Sequence, residues 1–175
     1  MAKIEFVIAD ITELDIEAIV FPAHKHLVRG RGLSGQIFDL AGELLVAYCR
    51  RMDDCPIGEA RITPGFNLPA KYLIHTVTPM WSGGDQWGSI VLEQLRHCYE
   101  NSIKVALKNS IKSLAFASLG SGHNKIPHEI ASRLGMEVLH KRRNDFERLV
   151  VCSRSRTSNN VWLEASKKIH RHQNA

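Results

Sequence analysis

Short apolar segments with the length of buried strands alternate with longer amphipathic segments along this chain. The predicted strands are residues 4–9, 18–21, 60–63, 72–77, 113–118 and 149–152. Apolar residues recur at helical spacing over residues 35–52 and 89–108, after Pro127, and around Trp162. Strands and helices that alternate in this way build a layered α/β sheet. The length of 175 residues suits one such domain, predicted over residues 1–170 and followed by a frayed tail at 171–175.

Composition narrows the class of protein. Apolar residues make up 44% of the chain and charged residues 23%, which is typical of a globular domain. No apolar run approaches the roughly 20 residues that span a bilayer, so no membrane partner is expected. Residues 1–6 enter a strand without a signal-peptide core, which predicts a cytoplasmic location. The four cysteines lack the spacing of zinc ligands, so no metal site is predicted and no cofactor is assigned.

The net charge of +5 favours anionic partners. Many of the basic residues lie late in the chain, at positions 141–143, 154, 156, 167 and 168. They form either a solvated basic face or a surface for nucleic acid. The first interpretation is favoured because no aromatic side chains alternate with these charges, as a platform for single-stranded nucleic acid would require.

Two glycine-rich loops each follow a predicted strand and precede a helix. The first, residues 28–37, carries Gly30, Gly32 and Gly35, and the second, residues 119–127, carries Gly120 and Gly122. Glycine lets another group approach the backbone closely, and a helix N-terminus supplies N–H donors with a partial positive charge. The loops therefore predict a cradle for a pyrophosphate, at the strand ends where α/β sheets bind ligands.

Several runs of residues, in consistent order from about residue 4 to 165, resemble the macro domain family. They are Asp10-Ile11-Thr12, Glu17-Ala18-Ile19-Val20, Gly30-x-Gly32-x-x-Gly35-x-Ile37, Ala41-Gly42, Cys55-x-x-Gly58-x-Ala60-x-Ile62-Thr63-x-Gly65, Leu68-Pro69-Ala70 and Ile74-His75-Thr76-Val77-x-Pro79-x-Trp81. The resemblance implies a three-layer α/β/α fold with a mixed six-stranded sheet. It also implies a cleft for ADP-ribose, or for an ADP-ribosylated macromolecule, at the C-terminal edge of that sheet.

The resemblance also implies the residues of the ligand site. Asp10 would accept a hydrogen bond from the adenine amino group, and the two glycine-rich loops would wrap the pyrophosphate and the distal ribose. An alternative role for Asp10 is to cap the turn at Thr12. The predicted ligand-binding residues are Asp10, Ile11, Ala23, Gly30, Gly32, Leu33, Gly35, Leu119, Gly120, Ser121, Gly122 and His123.

The chain departs from the family at the catalytic corner. Hydrolytic members carry Asn-Ala-Ala-Asn where this chain has Phe21-Pro22-Ala23-His24, and they carry Asp at the position of Ser34. His24 and Ser34 are therefore the candidate catalytic residues. His24 would be the base, because an imidazole that titrates near ~6.5 can accept a proton, and Ser34, which cannot act as a base unaided, would position the ribose. Two functions stay open: binding of ADP-ribose without efficient hydrolysis, or an ADP-ribosyl hydrolase or ADP-ribose 1″-phosphate phosphatase. The sequence near Arg154 has no aromatic residue that could stack on adenine, so the Arg154 guanidinium is the candidate for that stacking contact.

Overall fold

The computed structural model describes residues 3–82 and 85–174, with the side chains of residues 85–87 outside the description. The strands are β1 (Ile4–Ile8), β2 (Ala18–Pro22), β3 (Ala60–Pro64), β4 (Tyr72–Thr76), β5 (Ser113–Ala117) and β6 (Arg148–Ser153). The helices are α1 (Gly32–Ala41), α2 (Glu43–Cys49), α3 (Asp85–Lys108), α4 (His128–Arg142) and α5 (Arg156–Gln173).

The strands form one six-stranded sheet in the order β1-β6-β5-β2-β4-β3. All neighbouring strands are parallel except β3 and β4, which are antiparallel. The register places Ile4 of β1 opposite Leu149 of β6, and Ala18 of β2 between Tyr72 of β4 and Leu114 of β5. The predicted mixed six-stranded sheet is therefore confirmed, and the C-terminal ends of five parallel strands meet at one edge.

Helices cover both faces of the sheet. On one face, Leu95 and Tyr99 of α3 and Trp162 of α5 pack in a buried cluster with side chains of α4 and the sheet. On the other face, the helices α1 and α2 bury Ile37 and Leu45 against the sheet. Alternate residues of each strand point to opposite faces, so the central strands are apolar on both sides. This arrangement confirms the three-layer α/β/α fold.

Helix boundaries differ from the sequence prediction in three places. The prediction of a single helix over residues 35–52 is wrong. The helical backbone is interrupted at Gly42, where φ is 94°, and the segment forms the two helices α1 and α2. The helix α3 begins at Asp85 rather than near residue 89. The helix α5 continues to Gln173 and so includes residues 171–173, which the prediction assigned to a frayed tail. Residues 1, 2 and 175 of the predicted domain and tail lie outside the described residues.

Candidate functional site

A cleft of about 460 Å³ opens at the edge of the sheet where β1, β2, β5 and β6 end. Its lining comes from four separate parts of the chain that follow these strands, together with Thr78 after β4. The lining residues are Ala9, Ile11, Pro22, Ala23, His24, Gly30, Arg31, Gly32, Leu33, Ser34, Thr78, Ala117, Ser118, Gly120, Gly122, His123, Asn124, Cys152, Ser153, Arg154, Ser155 and Ser158. This position agrees with the general rule for ligand sites in α/β sheets.

The first glycine-rich loop folds back on the start of α1. The Ser34 hydroxyl accepts a hydrogen bond of 3.2 Å from the Gly30 N–H, and Ser34 is buried. Gly35 permits this contact, since a Cβ there would lie only 2.7 Å from the Gly30 carbonyl oxygen. Arg31 at the N-cap gives no side-chain cap to the helix. The first-turn N–H groups of α1 are therefore placed at the cleft without a side-chain acceptor from the N-cap.

The second glycine-rich loop is anchored to the end of β4 and meets the first. The Asn124 side-chain amide donates to the Thr78 carbonyl oxygen at 2.9 Å and to the Thr78 hydroxyl at 2.5 Å. Across the cleft, the His123 Nε2 atom lies 3.2 Å from the position that a Cβ on Gly32 would take. The two loops thus approach each other over the cleft, and any side chain at Gly32 would push against His123.

Asp10 lies at the end of β1 with both of its carboxylate oxygens engaged. Its Oδ1 accepts from the Thr12 N–H at 3.0 Å and from the Thr12 hydroxyl at 2.6 Å, and so caps the following 3-10 turn. Its Oδ2 accepts from the Gln36 side-chain amide at 2.9 Å. Burial acts to raise the pKa of Asp10, but the hydrogen bonds from Thr12 and Gln36 and the charge of Arg154 outweigh it and lower the pKa. Asp10 is therefore held as an ionised acceptor beside the cleft.

The two candidate catalytic residues both line the cleft, but neither is arranged as a general base. The Nδ1 atom of His24 accepts a hydrogen bond of 3.1 Å from the His26 N–H. A neutral imidazole that accepts at Nδ1 carries its proton at Nε2, so the other nitrogen is a donor. The Ser34 hydroxyl is engaged with Gly30. Among the described lining residues, none is Asp or Glu.

The charge of the cleft favours an anionic ligand. Arg31 and Arg154 contribute two positive charges to the lining, and His24 and His123 add two imidazole rings. No carboxylate is among the described lining residues, so the formal charges on the lining itself are positive, while the ionised Asp10 lies behind Arg154 at one end.

A family model for the macro domain matches residues 20–134, which is more than half of the chain. The chain belongs to the macro domain family. A macro domain-containing protein of Lactiplantibacillus plantarum is 41% identical over 139 residues, which cover 79% of this chain and 79% of that protein. The human ADP-ribose glycohydrolase MACROD2 is 36% identical over 173 residues, which cover 97% of this chain and 38% of that protein.

Solved macro domain structures share the fold. A mutant Oceanobacillus iheyensis macrodomain with ADPR has a TM-score of 0.88 and 27% identity, covering 95% of this chain and 92% of that one. A Trypanosoma brucei macrodomain in complex with ADP-ribose has a TM-score of 0.81 and 28% identity, covering 95% of this chain and 68% of that one.

Most of the residues predicted for a macro domain site line the cleft in this chain. They are Ile11, Ala23, His24, Gly30, Gly32, Leu33, Ser34, Gly120, Gly122 and His123. The lining does not include Asp10, Gly35, Leu119 or Ser121. Gly35 is instead packed against Gly30, and Leu119 is buried in the core beside α3 and α4. Gly35 and Leu119 therefore shape the two macro domain loops from behind.

Sequence reasoning missed part of the macro domain cleft. Thr78 and Asn124 form the anchor between β4 and the second loop, and Ser158 of α5 adds to the wall after β6. The rule that strand ends carry the ligand would have found Thr78, because it follows a predicted strand. The role of Asn124 depends on a contact with a residue 46 positions earlier, which no local pattern reveals.

Three of the basic residues late in this macro domain form ion pairs. Arg142 lies 2.7 Å from Asp145, Lys167 lies 3.2 Å from Glu164, and Lys168 lies 3.5 Å from Glu129. These pairs favour the solvated basic face over the nucleic-acid surface, which stays a prediction. Within residues 3–82 and 85–174, no three His, Cys, Asp or Glu side chains are grouped to hold a metal ion. No helix in that part of the chain has both the length and the apolar composition to cross a bilayer.

Proposed function

We propose that the cleft binds ADP-ribose, or the ADP-ribosyl group of a modified macromolecule, with weak or no hydrolysis. The observation that carries the proposal is the lining itself: two arginines and two histidines, without a carboxylate among the described lining residues, around the uncapped start of α1. A diphosphate carries the negative charge and the acceptor oxygens that such a lining and such N–H groups bind. The ADPR and ADP-ribose complexes of similar macrodomains support the choice of ligand.

Each part of ADP-ribose has a counterpart in the chain. The adenine amino group would donate to Asp10, whose lowered pKa keeps it an acceptor at neutral pH. The diphosphate would lie between the start of α1 and the loop that carries Gly120 and Gly122. The distal ribose would lie near His24, at the end of β2.

The second candidate function is removal of ADP-ribose from a macromolecule, or dephosphorylation of ADP-ribose 1″-phosphate. It is favoured by the position of His24 in the cleft and by the similarity to proteins named ADP-ribose glycohydrolase. The hydrogen bond from the His26 N–H to His24 Nδ1 argues against it, because it leaves a donor rather than a base at Nε2. Binding without efficient turnover is therefore the better supported function.

Calorimetric titration with ADP-ribose, ADP and AMP tests the proposal. We expect micromolar binding of ADP-ribose that is clearly tighter than binding of ADP, because the distal ribose adds contacts near His24. Equal, weak binding of all three nucleotides would contradict a distal ribose pocket. No binding of ADP-ribose would contradict the proposed function as a whole.

A release assay with an ADP-ribosylated protein distinguishes the two candidate functions. We expect no turnover above that of a control without protein. Turnover that is lost in His24→Ala but retained in His97→Ala, an exposed histidine on α3, would overturn the binding function in favour of the hydrolase. The phosphatase is tested in the same way with ADP-ribose 1″-phosphate.

A further inference from the structure

One side-chain amide joins two charged residues across the end of the cleft. The Gln36 amide nitrogen donates to Asp10 Oδ2 at 2.9 Å, and the Gln36 carbonyl oxygen accepts from the Arg154 guanidinium. Asp10 follows β1, Gln36 lies on α1, and Arg154 lies in the turn between β6 and α5. Gln36 is 26 residues from Asp10 and 118 residues from Arg154 in the sequence, so this connection exists only in the folded chain.

An amide is suited to this position because it donates on one side and accepts on the other. The Asp10 carboxylate accepts only, and the Arg154 guanidinium donates only. A carboxylate at position 36 would be repelled by the Asp10 carboxylate, and a cation there would be repelled by the Arg154 guanidinium. An apolar side chain would make a hydrogen bond with neither residue. Gln36 therefore fixes the position of Arg154 relative to the rigid end of β1, even though Arg154 itself is exposed.

The end of the cleft near Arg154 is suited to a planar ligand group. Ala9, Ile11 and Cys152 give it an apolar floor, and no Phe, Tyr or Trp is among the described lining residues. Arg154 is the lining residue at this end whose side chain is flat and able to stack on an aromatic ring. Beside it, the Ser153 hydroxyl is buried and has no hydrogen-bond partner among the described residues, so it adds a polar group for a ligand.

We propose that Arg154 binds the nucleotide base by stacking its guanidinium plane on the ring, and that Gln36 is the positioning residue that holds this plane in place. The inference rests on the proposed function, since it assigns the base of the ADP-ribosyl ligand to this end of the cleft. It predicts that the shape of Arg154 matters more than its charge. It also predicts that Gln36 acts on binding through Arg154, so that replacing Gln36 has little further effect once the Arg154 guanidinium is absent.

Titration of ADP-ribose into the unaltered chain and into single and double variants tests the proposal. We expect Arg154→Lys, which keeps the charge and removes the plane, to weaken binding about tenfold. Gln36→Leu should weaken binding by a similar factor, and the double variant should be little weaker than Arg154→Lys alone, because two residues that act through one contact are not additive. Arg156→Lys is the matched control, because Arg156 is exposed, is two positions further along, and does not line the cleft. It should bind as the unaltered chain does.

A planar replacement separates stacking from a structural role. Arg154→Phe keeps a stacking surface without needing Gln36, so it should retain binding within about threefold, and adding Gln36→Leu should change it little. Thermal melting of every variant identifies any that fail to fold. Normal binding by Arg154→Lys, or additive losses in the double variant, would overturn the proposal while leaving the proposed function intact. Absence of ADP-ribose binding by the unaltered chain would overturn both.

Discussion

Asp10 is held from two sides by Thr12 and Gln36 before any ligand arrives. Its carboxylate keeps a free lone pair, because each carboxylate oxygen can accept about two hydrogen bonds and Oδ2 accepts one from Gln36. In the proposed function, the adenine amino group would donate to that remaining site. Asp10 would then have both a structural and a recognition role, so a binding experiment on Asp10 needs a control ligand with a different base.

Replacing Asp10 tests the recognition role. We expect Asp10→Ala to weaken ADP binding by about 1–3 kcal/mol, which is the usual effect of losing a hydrogen bond to a charged group. IDP, whose ring lacks the amino group, provides the control, because the preference of the unaltered chain for ADP over IDP should disappear in the variant. Calorimetric titration measures both affinities. A preference for ADP that survives the substitution would contradict the contact with adenine.

Gly120 is a second residue whose role can be measured directly. Its φ of +85° suits glycine, and a Cβ there would lie 2.7 Å from Ile126 Cδ1 and 3.2 Å from Leu95 Cδ1. We expect Gly120→Ala to lower the free energy of unfolding by about 1–3 kcal/mol, from backbone strain and overpacking. Gly122→Ala, in the same loop, is the matched control, since its Cβ would meet nothing within 4 Å. Urea unfolding of both variants checks the prediction, and equal stability would contradict it.

At the scale of elements, the sequence predicts the strands well because they are buried on both faces. Continuous apolar runs, such as residues 18–21 and 149–152, appear as β2 and β6 within one or two residues of their predicted ends. The helix prediction over residues 35–52 is wrong because the apolar pattern continues through Gly42 while the backbone does not. At Gly42 the chain turns with positive φ beside the Asn67 side chain, and the period of apolar residues does not reveal that turn.

The strand β4 carries a titratable group in the core of the sheet. His75 is fully buried between Phe21 and Phe38, with its Nε2 atom 2.9 Å from the Thr63 hydroxyl, and burial lowers its pKa to about 3. In the unfolded chain His75 therefore takes up a proton near pH 6.5, whereas in the folded chain it stays neutral down to about pH 3. Stability from this group is complete above that pH and is lost progressively as the pH falls toward 3.

Between pH 7 and pH 5 we expect the protonation of His75 in the unfolded chain to lower the free energy of unfolding by about 2 kcal/mol. Urea unfolding at the two pH values measures it. His75→Phe should remove most of this dependence, whereas His97→Ala, at an exposed histidine, should keep it. An unchanged pH dependence in His75→Phe would show that other histidines dominate instead, such as the half-buried His128 and the buried His140, whose pKa values burial also lowers.

At the scale of the whole molecule, ligand binding and stability are linked through the cleft. ADP-ribose at about one hundred times its dissociation constant should raise the free energy of unfolding by about 2.7 kcal/mol, because it binds only the folded chain. For a domain of this size, that corresponds to a rise in melting temperature of roughly 5–10 °C. AMP at the same concentration, which lacks the diphosphate and the distal ribose, should give a smaller rise. Equal shifts from the two ligands would contradict a site that uses all parts of ADP-ribose.

The candidate site was predictable where its residues are local in sequence. Both glycine-rich loops, Asp10 and His24 stand directly after predicted strands, and the sheet brings these strand ends together. The contacts that Gln36 makes with Asp10 and Arg154 were not predictable, because a polar residue on a helix gives no local signal of its partners. The buried role of Leu119 was also missed, because the glycine pattern assigns a whole loop to the ligand and does not separate its inner side from its outer side.

The order of the strands has a consequence for when the cleft can form during synthesis. Within the described residues, β1 is hydrogen-bonded in the sheet to β6 alone, with Ile4 opposite Leu149, so the first strand of this sheet to be synthesised pairs with the last one. Contacts between such distant parts of a chain form late and slowly. Because the cleft uses residues that follow both strands, a nascent chain that has not yet released β6 has the two glycine-rich loops but only part of the pocket. Ligand capture should therefore begin only after β6 has been released and has joined the sheet.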